Sequence, residues 1–508
     1  MTWSLWLEAL APEWALAVGA CLVLLLGVTP ARDLVRPLSL LSILIGLAFT
    51  IFQGTATADV SLPGLELSPL TQFVRLIGLS IGALIMLVNW YQADAGERGE
   101  YYSMILFSLL GLLLTPSSND LIMLFFALEL VSVPTYILVA LSRTRRESSE
   151  AAVKYFFLGA MAAAIMAYGF SFLYGAAGTT TLFAPEGTPS IAASILAAEG
   201  LNDWSMIGLL LAISGMLFKI AAVPFQVYAP DVYQGAAASV TGMLGFVPKL
   251  AGFAALVKLL SLTNWILPDA VMWLLWVVAA ATMIYGNVLA LMQQNVKRML
   301  AYSSIAHSGY MLIGLLVGPL AGAGPFQNGI SAMLFYMAVY GAMNLGAFAV
   351  LAMMTNNHEE IETLDDLKGL SRRFPFAAFG MAVCAFSLMG FPPTAGFLGK
   401  VYIFSSAFSL EEGTRFAGPI FALAIIGVIN SAVGAAYYLR IAGTCYLSEP
   451  TEPVESPGRA GVGWGLALCS LAMIVLFILP DSLGDQAARA TNGMAERSIP
   501  AEEQLANR

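Results

Sequence analysis

The sequence predicts an all-α integral membrane protein of about 14 transmembrane helices, part of it arranged as two inverted five-helix repeats. Three observations predict it. The chain has 508 residues, 59% hydrophobic and only 11% charged, with mean hydropathy +0.80. A soluble domain carries roughly 25% charged residues, so the polar surface here cannot cover a water-soluble globule and the outer solvent must be lipid. Apolar runs of spanning length recur along the chain, and lysine and arginine gather in alternate connections.

Scanning for runs of about 17–25 apolar residues gives spans at 13–28, 37–53, 69–91, 101–115, 120–142, 150–174, 204–225, 233–262, 270–292, 298–317, 328–354, 375–408, 417–447 and 462–480. Neither β-alternation nor strand-and-turn patterning appears, which excludes a barrel. The first run, Trp14–Val28, has no Lys or Arg before it, so it reads as a retained span and not as a cleaved signal.

Basic residues set the orientation. Arg32 and Arg36, Arg98, Arg143, Arg145 and Arg146, Lys297 and Arg298, Lys368, Arg372 and Arg373, and Arg459 fall in alternate loops. The opposite loops are nearly bare, with only Arg415 against the pattern, and Arg489, Arg497 and Arg508 lie far along the tail. The positive-inside rule therefore places both termini on the outer, periplasmic side.

Two spans carry proline at depth: span seven through Lys219 to Pro224, and span twelve at Gly390-Phe391-Pro392-Pro393-Thr394-Ala395-Gly396. Each proline removes a backbone donor and strands the carbonyl four residues earlier, near Ile220 and Leu388. Broken helices at membrane depth line polar cavities or pack as kinks. Spans 4–8 and 9–13 then form two five-helix units with the break in the fourth helix of each. Five is odd, so the units are inverted, as in transporters. The expected division is 1–100 for helices 1–3, 101–262 and 270–447 for the repeats, 462–480 for the last helix and 481–508 for a polar tail.

Charges inside spans are costly and mark function by default. Glu129 is read as the only acid deep in a span; a protonated structural carboxyl is its bland alternative. Lys219 precedes the break of span seven, Lys249 is central in span eight, and Lys400 follows the break of span twelve. Lys154, one turn into span six, could instead snorkel to the interface. Lys258, near the outer end of span eight, is read as snorkelling, and Arg75 as a lipid-facing or packing charge. His307 lies on the polar stripe Ser303-Ser304…Ser308, either as a hydrogen-bonded core residue or as a proton relay; His358 is a loop residue. A lysine in apolar surroundings keeps its proton while a carboxylate is near and releases it when that partner is withdrawn. Several such lysines and one glutamate form a chain of switchable proton sites without a redox centre. At 1.5 Å per residue, Glu129 and Lys154 are offset along their helices, which leaves their contact open.

Other chemistry is absent from the pattern. The four cysteines (Cys21, Cys384, Cys445, Cys469) are scattered without CxxC spacing, and two histidines offer no metal or haem site, so no metal and no cofactor is expected in this chain. The net charge of −9 resides in loops and tail, and no basic face or nucleic-acid motif exists, so nucleic acid is not an expected partner.

The runs Phe218-Lys219-Ile220-Ala221-Ala222-Val223-Pro224-Phe225 and Asn295-Val296-Lys297-Arg298-Met299-Leu300-Ala301-Tyr302-Ser303-Ser304-Ile305-Ala306-His307 resemble antiporter-like membrane subunits of respiratory complex I. Pro393-Thr394-Ala395-Gly396-Phe397-Leu398-Gly399-Lys400 and Leu364-Asp365-Asp366-Leu367-Lys368-Gly369-Leu370 narrow the resemblance to the subunit N type, over about residues 100–445. The resemblance implies proton pumping driven by quinone reduction in partner subunits, in a bacterial inner membrane. Glu129 would be the span-five acid, Lys219 the broken-helix lysine, Lys249 the central lysine, Lys400 the outlet lysine and Lys154 a modulator. Gln226 and Tyr228 stand where many members carry His and Trp, which puts any proton step at Gln226 in doubt. NADH, flavin and iron–sulfur centres would belong to other subunits. The competing assignment is a subunit of a multisubunit cation/proton antiporter, which shares the lysines; a scaffold whose buried charges only join helices is the third.

Overall fold

The computed structural model describes residues 3–54, 60–93, 96–142, 146–185, 187–198, 200–320, 323–356, 359–411, 415–450, 454–456, 460–491 and 494. His358 and the arginines Arg143, Arg145, Arg459, Arg497 and Arg508 lie outside the described residues.

The chain runs through α1 (Trp3–Ala9), α2 (Ala11–Gly27), α3 (Val35–Gln53), α4 (Pro69–Val88), α5 (Arg98–Ser117), α6 (Leu121–Leu141) and α7 (Arg146–Ala177). It continues through α8 (Ile191–Ala197), α9 (Asp203–Lys219), α10 (Ala229–Gly235), α11 (Ala238–Leu244), α12 (Val247–Leu260), α13 (Asp269–Leu291) and α14 (Val296–Val317). Then follow α15 (Gly329–Met353), α16 (Leu370–Arg373), α17 (Pro375–Met389), α18 (Ala395–Phe408), α19 (Ala417–Leu447), α20 (Ala460–Ile478) and α21 (Asp481–Arg489). Among the described residues, ten helical segments are long and apolar enough to cross a membrane, and α2, α17 and α18 are shorter apolar helices. The only strands among the described residues form two antiparallel ribbons, Val60–Leu62 with Leu65–Leu67 and Thr355–Asn356 with Glu359–Glu360.

Burial separates interior from periphery. The apolar stretches of α11–α12 and α15 are buried throughout and α14 nearly so, whereas α3, α7, α19 and α20 leave more than half of theirs on the outer surface. A helix apolar on every side and enclosed by other helices belongs at the centre of a bundle. Close packing there depends on small residues. A Cβ on Gly286 of α13 would stand 2.6 Å from Ala306 N of α14, and one on Gly169 of α7 would stand 2.5 Å from Ala212 N of α9.

Both proline breaks are present. α9 stops at Lys219, Ala221 takes a positive φ of 54°, and the chain resumes through a 3₁₀ turn, Phe225–Tyr228, into α10. α17 stops at Met389 with Gly390 at φ 82° before α18 begins at Ala395. The stranded carbonyls are those expected. Ser308 Oγ donates to Ile220 O at 2.6 Å, and Lys400 Nζ donates to Leu388 O and Met389 O at 3.0 and 2.9 Å. Gly390 is needed twice over, since its φ favours glycine and a Cβ there would lie 2.8 Å from Lys400 Cδ.

Several expectations need correction. Residues 233–237 belong to α10 and its exit, so the eighth segment starts at Ala238; it is itself interrupted at Gly245-Phe246, just before Pro248 and Lys249. α7 starts at Arg146, which puts Lys154 two turns into the helix. Lys258 does not snorkel: it is buried and faces Glu66 Oε2 at 3.6 Å and the Phe183 ring at 6.0 Å. Arg75 is a packing charge, 1% exposed, donating to both carboxylate oxygens of Glu13 at 2.7 and 2.8 Å. Glu13, in the first turn of α2, is buried beside Arg75, an acid that the sequence did not single out. Lys297, read as a loop cation, is fully buried, donating to Ala236 O at 2.6 Å and facing Glu360 and Glu362 at 3.6 and 3.8 Å. The tail starts with α21, which buries Leu483 and Ala487.

Candidate functional site

The buried lysines occupy the breaks and the bundle centre. Lys219 is the last residue of α9, so the break leaves its side chain between α6 and α12. Its Nζ donates to Glu129 Oε1 at 2.9 Å and to Ser132 Oγ at 2.5 Å. Lys219 is 4% exposed and the Glu129 side chain 20%, which puts the pair at the flank of the bundle with its acid toward the outside. Ser132 lies three residues beyond Glu129 and so shares its face of α6.

Lys249, on α12, is held by neutral groups. Its Nζ donates to Ser308 Oγ at 2.8 Å and to Ser304 O. Ser308 in turn donates to Ile220 O, so one hydroxyl joins the α9 break to the central lysine. Tyr340 donates to Ser304 Oγ at 2.7 Å, and Tyr233 of α10 lies 3.2 Å from the same oxygen. Three helices thus converge on Ser304 and Ser308 of α14.

His307 stands on the same helix inside a cage of tyrosines. Nδ1 is 2.6 Å from Tyr336 OH and Nε2 2.8 Å from Tyr438 OH, which also bonds Ser303. The ring lies between Lys249 and Lys400. Tyr340 is 5.1 Å from the His307 ring and 5.6 Å from Lys249 Nζ, while Tyr310 is 5.6 Å from the His307 ring and 5.1 Å from Lys400 Nζ. Lys400 caps the α17 break and donates to Ser431 Oγ of α19 at 2.9 Å.

Lys154 is elsewhere. It does not reach Glu129 but binds Asp231 Oδ2 at 2.9 Å and Glu150 Oε1 at 2.8 Å in a half-open setting. Arg298 takes the other oxygen of Asp231 at 2.9 Å, so α7, α10 and α14 meet at this end. At the positions flagged for departure, Tyr228 donates to Phe218 O at 3.0 Å and stacks on Tyr155 and Phe218. Gln226 is buried, its Oε1 without a partner among the described residues.

Sequence reasoning assigned no site role to Ser304, Ser308 or the tyrosines Tyr233, Tyr310, Tyr336, Tyr340 and Tyr438. Ser304 and Ser308 had a signal in the polar stripe of α14; the tyrosines had none, because aromatics are common in apolar spans. Among the described residues no group of His, Cys, Asp and Glu could hold a metal ion.

Lysines buried on and between broken helices of an apolar bundle define an antiporter-like membrane subunit, and residues 118–427 match the family described as NADH:quinone oxidoreductase/Mrp antiporter, TM. The chain is 35% identical to NADH-quinone oxidoreductase subunit N of Rhodospirillum rubrum over 97% of its length and 98% of that protein. It is 37% identical to subunit N of Trichlorobacter lovleyi over 94% of its length and 95% of that protein. A chain of respiratory complex I from Thermus thermophilus superposes with TM-score 0.78 at 30% identity, covering 94% of this chain and 99% of that one. A chain of the Mrp complex from Dietzia superposes with TM-score 0.81 but is 19% identical, over 100% and 99% of the two chains, a likeness of fold alone. The chain belongs to the subunit N family of NADH-quinone oxidoreductases, and the antiporter assignment is the poorer fit.

Proposed function

We propose that this subunit moves protons across the membrane through Glu129, Lys219, Lys249, His307 and Lys400, driven by quinone reduction in neighbouring subunits. The observation that carries the reading is the Ser308 hydroxyl, which bonds both Lys249 Nζ and the carbonyl freed by the α9 break. Charge at Lys219 is held by Glu129; weakening of that pair by a charge change in an adjoining subunit releases a proton toward the break. Polar breaks at membrane depth admit water, which completes the route past Ile220 to Lys249. His307 can accept a proton on one ring nitrogen and release it from the other, because each faces a tyrosine hydroxyl. Lys400 then passes the proton along the α17 break to the far side. Lys154 acts from the surface, through Asp231, on the position of α10.

The same reading has fourteen spans, counting α9–α10, α11–α12 and α17–α18 as single interrupted crossings. The inverted repeats are α5–α12 and α13–α19, close to the bounds 101–262 and 270–447. Both termini face the periplasm of a bacterial inner membrane, the basic end with Arg298 being cytoplasmic. Partners are neighbouring antiporter-like and quinone-module subunits, and the exposed edge of Glu129 offers one of them a place to act.

The test is proton translocation by the purified complex in sealed vesicles. Lys400→Ala and His307→Phe should each lower protons moved per electron while quinone reduction continues. Unchanged stoichiometry in both would remove the second half of the path.

A further inference from the structure

Arg415, the one basic residue that breaks the charge asymmetry of the loops, lies at the rim of a cavity of about 260 Å³. The cavity is at the end of the bundle opposite Asp231, between the start of α13, the end of α14 and the start of α19. Leu267, Met272, Leu316 and Ile420 make its apolar wall. Trp265 lines it as well. The backbone bends to hold these groups, with φ of 48°, 61° and 66° at Asn264, Trp265 and Phe416. Around the mouth the surface is apolar: Ile266 is 67% exposed, and Trp273, Phe408 and Phe421 are also exposed.

The charges select the occupant. Arg415 contacts Asp269 through one guanidinium nitrogen, and both side chains are about three-fifths exposed. Among the described residues, most of the guanidinium donors thus remain for a phosphate oxygen, and the other oxygen of the Asp269 carboxylate remains for an ammonium group. A matched cation and anion over an apolar cavity suit a lipid whose headgroup carries both charges. We propose that this cavity binds one acyl chain of a phosphatidylethanolamine-type phospholipid, with Arg415 on its phosphate and Asp269 on its amine.

The test uses the intact complex in phosphatidylcholine vesicles containing phosphatidylethanolamine with a photoactivatable diazirine on one acyl chain. The same diazirine on phosphatidylglycerol serves as the second probe. The ethanolamine probe should label peptides spanning 265–272 or 410–420 about tenfold more than the glycerol probe, the scale of one charge-assisted hydrogen bond. Asp269→Asn should erase that preference, and Arg415→Gln should lower labelling by both, with quinone reduction unchanged. Equal labelling by the two probes in the unmodified complex overturns the headgroup assignment. No labelling there, with the cavity crosslinked to an adjoining subunit instead, overturns the lipid site.

Discussion

Glu129 of α6 and Lys219 at the end of α9 form an ion pair of 2.9 Å whose acid is the more open member. The arrangement ties the broken helix to the flank of the bundle and leaves the pair sensitive to charge beyond it. Lys249 and Lys400, by contrast, are held by hydroxyl and carbonyl oxygens. In the proposed path the first site is thus ionic and the later ones are dipolar, a difference that would suit directional release.

Lys154 should matter little. Its two ion pairs are at the surface, where such pairs contribute about 0–1 kcal/mol and are screened by salt. Lys154→Ala is expected to reduce proton translocation by less than about twofold, as a displaced surface pair does, with a smaller difference at high ionic strength. A tenfold loss independent of salt would place Lys154 in the path itself.

Glu13 and Arg75 are structural. Removing one partner of a buried pair costs about 3–5 kcal/mol, whereas apolar replacement of both is near neutral. Arg75→Ala or Glu13→Ala should lower the melting temperature of the subunit in its complex, and Glu13→Leu with Arg75→Met should recover most of it. Protons moved per electron by the surviving complex should not change in any of the three. A stoichiometric defect in the stable double variant would make this pair functional.

Gln226 has no titratable group, and its Oε1 is unpartnered among the described residues. Gln226→Ala is therefore expected to leave proton translocation within about twofold of the unmodified complex, consistent with a side chain that forms no strong polar contact. Tyr228 is different, since its hydroxyl holds Phe218 O beside the break; Tyr228→Phe should disturb the break more than Gln226→Ala does. Severe loss in Gln226→Ala with normal assembly would contradict this.

The fold was largely legible because hydropathy and proline speak locally. The breaks at Lys219–Pro224 and Gly390–Pro393, and even the carbonyls they would free, follow from the missing proline N–H. What was not legible depended on three-dimensional neighbours. Glu13 sits at the start of an apolar run and Arg75 within another, and nothing in either segment announces their pairing. Lys258 and Lys297 looked like interface and loop cations because sequence position does not show what folds over them. Glu129 and Lys154 could be compared along their helix axes, but Lys219 as the partner of Glu129 required the packing of α9 against its neighbours. The tyrosine cage around His307 had no pattern to find, since its members come from α14, α15 and α19.

The most direct test is the number of protons translocated per electron by complexes carrying Lys219→Ala or Lys249→Ala, measured in sealed vesicles with assembly verified. The account predicts that translocation falls by at least about tenfold in the share carried by this subunit, as expected when a relay loses a member that acts with the others as a unit. Normal stoichiometry in both variants would contradict it.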